Sequence, residues 1–264
     1  GIFTLLGRHG GLVDGLVVKI PDQEPSPETR PLGQLFPPTL ERLDVFLGVP
    51  SEHPGAANCR LEQTPGPRPT RYVMAHTKVP DDNTGENSRE IAVARKNLRI
   101  LFSGEEMADY TTLKIAELVR TAGGTVALRE TFIPPCLTIS ASPYLMKTAR
   151  GLLEVLSAKS ASLSVVRRTA TESGSVDFVK FSLLHTVHAY IPILSHVCQV
   201  GRVHPEILFL TLSRLAGELT TFSGAHQLND LPAYHHTDLS KTFTELDRKI
   251  RAMLEGMTPT QYVA

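Results

Sequence analysis

The chain has 264 residues, of which 41% are hydrophobic and 20% are charged, and its 27 Lys and Arg residues balance its 27 Asp and Glu residues. This length allows one large or two ordinary domains, each with its own core. The charge balance leaves no basic excess of the kind that attracts phosphates, which argues against nucleic acid as a partner. No stretch approaches the ~18 to 20 uncharged apolar residues that cross a bilayer, so we expect no direct membrane insertion.

The three cysteines, Cys59, Cys136 and Cys198, are an odd number at wide spacings. This arrangement favours neither a disulfide framework nor a clustered zinc site, and it fits a reducing compartment. The chain begins Gly1-Ile2-Phe3, without Met or a signal-peptide profile, and we expect it to be a fragment of a longer protein.

Proline and glycine are concentrated in the first part of the chain, where 27 of the 38 such residues precede Ser142. In chain order, Asp14-Gly15 marks a tight turn. Six prolines between Pro21 and Pro38 remove backbone donors and predict a loop or an edge segment. Gly123-Gly124 can supply the positive φ of a hairpin turn. The first part is therefore expected to consist of strands and loops.

Alternating apolar residues predict the strands that these turns connect. A period of two runs through residues 43–49, 98–102, 113–115 and 126–128. Short strands separated by turns predict an antiparallel β-sandwich, which we assign to residues 1–141.

From Ser142 onward the period changes, and four successive segments place apolar residues alternately four and three apart. That spacing predicts four helices. Ser142 and Pro143 suit the start of the first, Pro192 should kink the second, Pro205 opens the third, and Thr237 or Asp238 caps the fourth. The sequence thus predicts an α+β chain whose second domain, residues 142–264, is a long four-helix bundle.

The apolar positions of these helices average 3.5 residues apart, which is typical of left-handed knobs-into-holes packing against other helices. Mixed Leu, Val and Ile seams are compatible with several oligomeric states. We expect Asp at Leu215 or Leu246 to abolish oligomer formation, because a charge would enter a packed seam. The predicted bundle and oligomer interface comprises Leu145, Leu152, Leu156, Leu163, Leu183, Val187, Tyr190, Leu194, Leu208, Leu212, Leu215, Leu219, Leu239, Phe243, Leu246 and Ile250.

Groups that could carry chemistry are few. His185, His188 and His196 fall off the apolar seam of the second helix, which indicates a solvated face instead of a metal site, and His235-His236 is interpreted in the same way. Residues 81–87 form an oxygen-rich stretch that predicts a polar turn instead of a calcium loop. Cys136 is expected to be a buried structural thiol. We therefore expect no metal, no cofactor and no enzymatic activity; an enzyme would need a closed cleft with convergent titratable groups.

Several stretches resemble the TssK (ImpJ, VasE) family of baseplate proteins of bacterial type VI secretion systems. They follow the order of that family and cover nearly the whole chain: LDVFLGVP at 43–50, DNTGEN at 82–87, RKNLRILFSGEE at 95–106, FIPPCL at 132–137, HPE at 204–206, LAGELTTFS at 215–223 and LPAY at 231–234.

The resemblance implies a structural protein that forms a homotrimer on the cytoplasmic side of the secretion apparatus, which is anchored in the inner membrane. It implies that residues 1–141 form a shoulder similar to those of phage receptor-binding proteins, and that residues 142–264 form the neck through which the protein trimerises. The shoulder would contact the wedge proteins TssF and TssG. A C-terminal head, which we expect to be missing here together with the family's first segment, would contact TssL and TssM of the membrane complex. A phage receptor-binding or tail protein with a sandwich shoulder and an oligomeric neck is the alternative.

Overall fold

A computed structural model describes residues 1–61, 68–173, 178–223 and 227–256, with the side chains of all but residues 8 and 165–173. The chain divides into two compact units, Gly1–Arg129 and Glu130–Ala264. The change of sequence period predicted a boundary further along the chain, between residues 141 and 142. The difference arises because Ile133, Cys136 and Ile139 are buried in the core of the second unit.

The first unit consists of strands. Their bounds are β1 (Ile2–Phe3), β2 (Arg8–Gly11), β3 (Val17–Ile20), β4 (Arg30–Pro31), β5 (Arg42–Pro50), β6 (Cys59–Leu61), β7 (Tyr72–Val79), β8 (Arg89–Lys96), β9 (Arg99–Phe102), β10 (Tyr110–Arg120) and β11 (Val126–Leu128). β11, β10, β5 and β9 form a four-stranded antiparallel sheet in that order. β6, β7 and β8 form a three-stranded sheet, and the pairs β1–β4 and β2–β3 are two-stranded.

The predicted turns connect these strands. Gly15, with φ of 86°, lies in the turn between β2 and β3, and Gly124, with φ of 78°, lies between β10 and β11. The polar stretch 81–87 joins β7 to β8, where the Asp81 carboxylate accepts a hydrogen bond from the Asn83 amide over 2.8 Å. These turn predictions are confirmed.

Two features of the sheets differ from the predicted pattern. β6 and β7 are parallel, so the expectation of a wholly antiparallel arrangement is wrong for this pair. A bulge between Lys114 and Ala116 breaks the alternation in β10, and as a result Ile115 and Ala116 are both buried although they are adjacent. An extra residue in one strand has this effect, because the two-residue period restarts beyond it.

The core of the first unit lies around β5, which runs between β10 and β9. Leu43, Val45, Leu47 and Val49 are buried there at the predicted alternate positions. Ile100 and Phe102 of β9 belong to the same cluster.

The described part of the second unit contains four α-helices: α1 (Pro143–Ser173), α2 (Phe178–Val200), α3 (Pro205–Thr220) and α4 (Leu239–Gly256). The Ser142 hydroxyl accepts a hydrogen bond from the Leu145 amide over 3.2 Å and caps α1 as predicted. Asp238 caps α4 in the same way through the Lys241 amide. α2 continues through Pro192.

Each helix of the second unit packs against two others: α1 and α3 both contact α2 and α4. A single hydrophobic cluster draws on all four helices and on the segment that precedes α1. The backbone of that segment is tied to the unit by a hydrogen bond from the Ile139 amide to the Val203 carbonyl, over 2.9 Å. Among the described residues, no helix combines the length and the apolar character that a bilayer crossing requires.

Candidate assembly surface

The sixteen seam residues predicted from the helical spacing lie inside a single chain. All of them belong to the hydrophobic cluster of the second unit, with at most 4% of any of their surfaces exposed. The helices of one chain therefore cover the seam, and an Asp at Leu215 or Leu246 would disrupt the folded unit itself. Any contact between copies would therefore use residues outside this core.

Large apolar side chains are exposed on α2 and α3. Ile193 is 47% exposed, Ile207 54% and Leu210 60%. Among their described side chains, α1 and α4 expose no Leu, Ile, Val or Phe to a comparable degree. We name this region the α2–α3 surface and define it by Phe178, Val179, Phe181, Ile193, Val200, Ile207 and Leu210.

A groove of about 310 Å³ runs between the two helices of this surface. Its lining residues are Ala189, Tyr190, Ile193, Leu210, Thr211, Arg214 and Glu218. The exposed side chains of Ile193 and Leu210 stand on opposite helices, so they supply apolar contacts on both sides of the groove.

A polar contact crosses the same groove. The Tyr190 hydroxyl donates to Oε1 of Glu218 over 2.6 Å, and Nε of Arg214 donates to the same oxygen over 3.3 Å. Burial raises the pKa of Tyr190, and the hydrogen bond to Glu218 raises it further. The phenol therefore stays protonated and keeps donating, which ties α2 to α3 beneath the exposed residues.

The α2 helix has an unusual charge composition for an exposed element. Its sequence contains one Lys, three His and no Asp or Glu. His185, His188 and His196 are exposed, as predicted from their phase, and Nε2 of His188 lies 2.8 Å from the Ser160 hydroxyl of α1. Within the described ranges, no three His, Cys, Asp or Glu side chains are grouped as metal ligands would be. Without acidic side chains, α2 offers few obstacles to burial against an apolar partner.

The prediction that His235 and His236 both lie on a solvated face is wrong for His236. His235 is exposed, but His236 is half-buried and its ring stacks on His204, with centroids 5.2 Å apart. Its Nδ1 lies 2.8 Å from the Tyr234 hydroxyl. His204 caps α3 by accepting a hydrogen bond from the Glu206 amide. Burial lowers the pKa of His236, and the neighbouring His204 lowers it further.

Sequence reasoning missed this histidine pair because its members are far apart in the chain. The signal that could have found one of them is the dipeptide His204-Pro205, since Pro at the first helical position places the preceding residue at the cap. Cys136 is buried, as predicted.

The first unit exposes apolar residues on the β7–β8 hairpin. Ala75 pairs with Val93 and Thr77 with Ile91, and these four residues share one face of the ribbon. Ile91 is 44% exposed. Among the described strands, β8 also lies at the edge of its sheet, with one side free of strand pairing. Such an edge can pair with a strand of another protein.

Relatives of this chain are baseplate proteins. It is 27% identical over 267 residues to the type VI secretion system baseplate component TssK1 of Pseudomonas aeruginosa, an alignment that covers 100% of this chain and 59% of that protein. The chain thus spans about three fifths of the length of this relative.

The solved structures that share the fold include two baseplate assemblies. One is the cryo-electron microscopy structure of the type VI secretion system TssK–TssF–TssG baseplate subcomplex, with a TM-score of 0.81 and 30% identity over 92% of this chain and 78% of the matched chain. The other is the baseplate complex from the type VI secretion system, with a TM-score of 0.83 and 30% identity over 96% of this chain and 56% of the matched chain. A family model described as "Bacterial Type VI secretion, VC_A0110, EvfL, ImpJ, VasE" matches residues 1–264, and the chain belongs to that family.

Proposed function

We propose that this chain is part of a structural adaptor of the type VI secretion baseplate, which acts as a homotrimer and without catalysis. The observation that carries the proposal is the likeness, along most of the chain, to a chain of the TssK–TssF–TssG baseplate subcomplex. An adaptor of this kind needs geometry and binding surfaces instead of reactive groups. The groove between α2 and α3 is open and lined by helix surfaces, which suits binding better than chemistry.

We propose a division of labour between the two units. The first would be the shoulder, with its sheets packed as a β-sandwich. The second would be the neck, with its helices arranged as a four-helix bundle. The ring of contacts among α1, α2, α3 and α4 and their common hydrophobic cluster support the bundle. A stiff bundle would hold two binding regions at a fixed separation.

The α2–α3 surface is our proposed contact between copies. Its apolar side chains are exposed after the core is complete, and large exposed apolar patches are typical of interaction sites. Three copies arranged around an axis would each present the same surface, and threefold repetition would multiply weak contacts of the whole assembly into avidity.

The proposed position in the baseplate implies which proteins this chain and the whole protein would bind. The shoulder would bind TssF and TssG, and the apolar, half-buried face of the β7–β8 hairpin, which carries the exposed Ile91, is the surface of the first unit that favours such a contact. Binding to TssL and TssM would belong to a head in the whole protein. The assembly would then lie on the cytoplasmic side of the inner membrane, between the wedge and the membrane complex.

Co-purification tests the wedge contact. The chain, coexpressed with tagged TssF and TssG from the same bacterium, is expected to co-elute with them. Ile91→Asp should reduce the recovered chain, whereas Glu90→Gln, an exposed change on the adjacent position of β8, should leave it unchanged. Absence of the wild-type chain from the eluate would contradict the proposal.

A further inference from the structure

A second groove, of about 490 Å³, lies between α1 and α4, and it is lined by charged side chains. It is separate in position from the α2–α3 surface, because none of its lining residues belongs to α2 or α3. Its lining residues are Pro143, Tyr144, Lys147, Thr148, Arg150, Gly151, Glu154, Asp247 and Arg251.

Arg251 is held in a fixed orientation in this groove. Its Nε donates to both carboxylate oxygens of Asp247, over 2.9 and 3.0 Å. Its Nη2 lies over Gly151 of α1, 2.8 Å from the point where a Cβ would stand. Among the described residues, neither Nη group has a hydrogen-bond acceptor. A guanidinium fixed through one edge, with its remaining donors free, is prepared to bind an oxygen acceptor.

Two further cations line the groove on α1. Lys147 and Arg150 are exposed, and within the described part of the chain neither forms a salt bridge. Glu154, which follows Arg150 by four residues, is likewise exposed and lines the groove. The charged lining therefore consists of three cations and two carboxylates, one of which is already engaged by Arg251.

We propose that the α1–α4 groove binds an acidic peptide segment of a partner protein, whose Asp or Glu carboxylates contact Arg251, Lys147 and Arg150. Arginine recognises carboxylates through paired donors, and the two free Nη groups provide that geometry. Glu154 and Asp247 would repel a continuous polyphosphate, so the mixed charge favours carboxylates spaced by neutral residues over nucleic acid. The Tyr144 ring and Pro143 supply apolar contacts at one end of the groove.

Fluorescence anisotropy with the 264-residue chain tests the proposal. The probe is a fluorescein-labelled peptide of three Glu-Ala-Ala repeats, and its neutral counterpart has Gln in place of Glu. The Glu peptide is expected to bind, and the Gln peptide to bind at least about tenfold more weakly, as the loss of one or two charge-assisted hydrogen bonds implies. Equal binding of the two peptides would overturn the proposal.

Variants locate the binding site. Lys147→Glu combined with Arg150→Glu should weaken binding of the Glu peptide by at least about tenfold. Lys241→Glu, the same charge change at an exposed position of α4 outside the groove, is the control and should leave the affinity unchanged. If Lys241→Glu weakened binding of the Glu peptide equally, the effect would come from overall charge, which would contradict binding in the α1–α4 groove.

Gly151→Ala provides a test that keeps every charge. The added Cβ would displace the Arg251 guanidinium, while Ala is a better helix former than Gly, so weaker binding could not be attributed to unfolding. Reduced affinity for the Glu peptide is expected, and unchanged affinity would remove Arg251 from the proposed site. A labelled heparin fragment that binds more tightly than the Glu peptide, and is lost in the double variant, would overturn the choice of a peptide partner.

Discussion

The hydroxyl of Tyr190 on α2 and the carboxylate of Glu218 on α3 are joined by a 2.6 Å hydrogen bond. The helical spacing marks Tyr190 as an apolar seam residue, and its ring is indeed buried with the core. Its polar end needs a partner once the ring is buried, and α3 supplies one. The bond therefore fixes the two helices that carry the α2–α3 surface.

Removal of this bond should weaken the second unit. Tyr190→Phe keeps the ring but loses the donor, and we expect the free energy of unfolding to fall by about 1 kcal/mol. Glu218 keeps Arg214 and access to water, so its own loss is small. Urea denaturation measures the effect. Tyr144→Phe is the control, because the Tyr144 hydroxyl has no hydrogen-bond partner among the described residues. If Tyr144→Phe lowered the free energy of unfolding as much as Tyr190→Phe, the loss could not be assigned to the Tyr190 hydrogen bond.

Glu117 should make the first unit sensitive to acid. It accepts hydrogen bonds from Lys114 over 2.6 Å and from Arg129 over 2.7 Å. Burial alone would raise the pKa of Glu117, but these two cations outweigh it and hold the pKa below its ordinary value of 4.5. The unfolded chain then binds more protons near that value, so this stability is present above about pH 4.5 and is lost as the pH falls through the lower folded pKa.

The substitution Glu117→Gln tests this contribution. At neutral pH we expect a loss of about 1 to 3 kcal/mol, because Lys114 and Arg129 lose a charged acceptor that is itself buried. Below about pH 4.5 the variant should lose less stability than the wild type does. The control Glu90→Gln, at an exposed position of β8, should change neither the stability at neutral pH nor the stability lost below about pH 4.5. Parallel pH profiles for the wild type and Glu117→Gln would contradict the assignment.

The His204–His236 pair should make the second unit less stable in mild acid. Burial and the neighbouring His204 keep the pKa of His236 below its ordinary value of 6.5, although Glu206 acts in the opposite direction. The unfolded chain therefore gains a proton first as the pH falls, and the stability that is complete above about pH 6.5 is lost as the pH passes through the lower pKa of folded His236.

Melting temperatures measured on both sides of this window test the pair. His236→Gln removes the titrating ring, so the drop between neutral pH and about pH 5.5 should be smaller than in the wild type. His196→Gln changes an exposed histidine of α2 and should leave the drop as it is. If the two variants showed the same pH dependence, His236 would not be the responsible group.

Residues near one another in sequence were the most predictable part of the fold. The alternation from Leu43 to Val49, the glycine turn at Gly124 and the cap at Ser142 depend on local backbone preference, which a single sequence carries. The parallel pairing of β6 with β7 and the stacking of His204 on His236 depend on distant segments meeting. Neither of these two contacts produces a periodic pattern or a characteristic residue spacing in the sequence.

The proposed contact between copies was the least predictable part. A spacing of 3.5 residues identifies the apolar side of a helix, but it does not say whether the helices that cover that side belong to the same chain. Leu215 and Leu210, on one helix, illustrate the difference, since the first is fully buried and the second is 60% exposed. The exposed apolar residues of the α2–α3 surface can be identified once the residues of the internal core are known.

Leu215 should matter for stability within one chain. Leu215→Ala is expected to lower the free energy of unfolding by about 2 to 5 kcal/mol, because it leaves a cavity among fully buried neighbours. Chemical denaturation monitored by circular dichroism measures the loss. A loss below about 0.5 kcal/mol, which is typical of exposed positions, would show that Leu215 lies outside the core.

Light scattering coupled to size-exclusion chromatography tests most directly whether copies assemble through the α2–α3 surface. We expect the wild-type chain to have three times the mass of one chain, and Ile193→Asp combined with Leu210→Asp to have the mass of one folded chain. Ser157→Asp, which adds a charge to an exposed position of α1, should retain the wild-type mass. A wild-type mass equal to one chain, or a double variant that keeps the threefold mass, would contradict assembly through this surface.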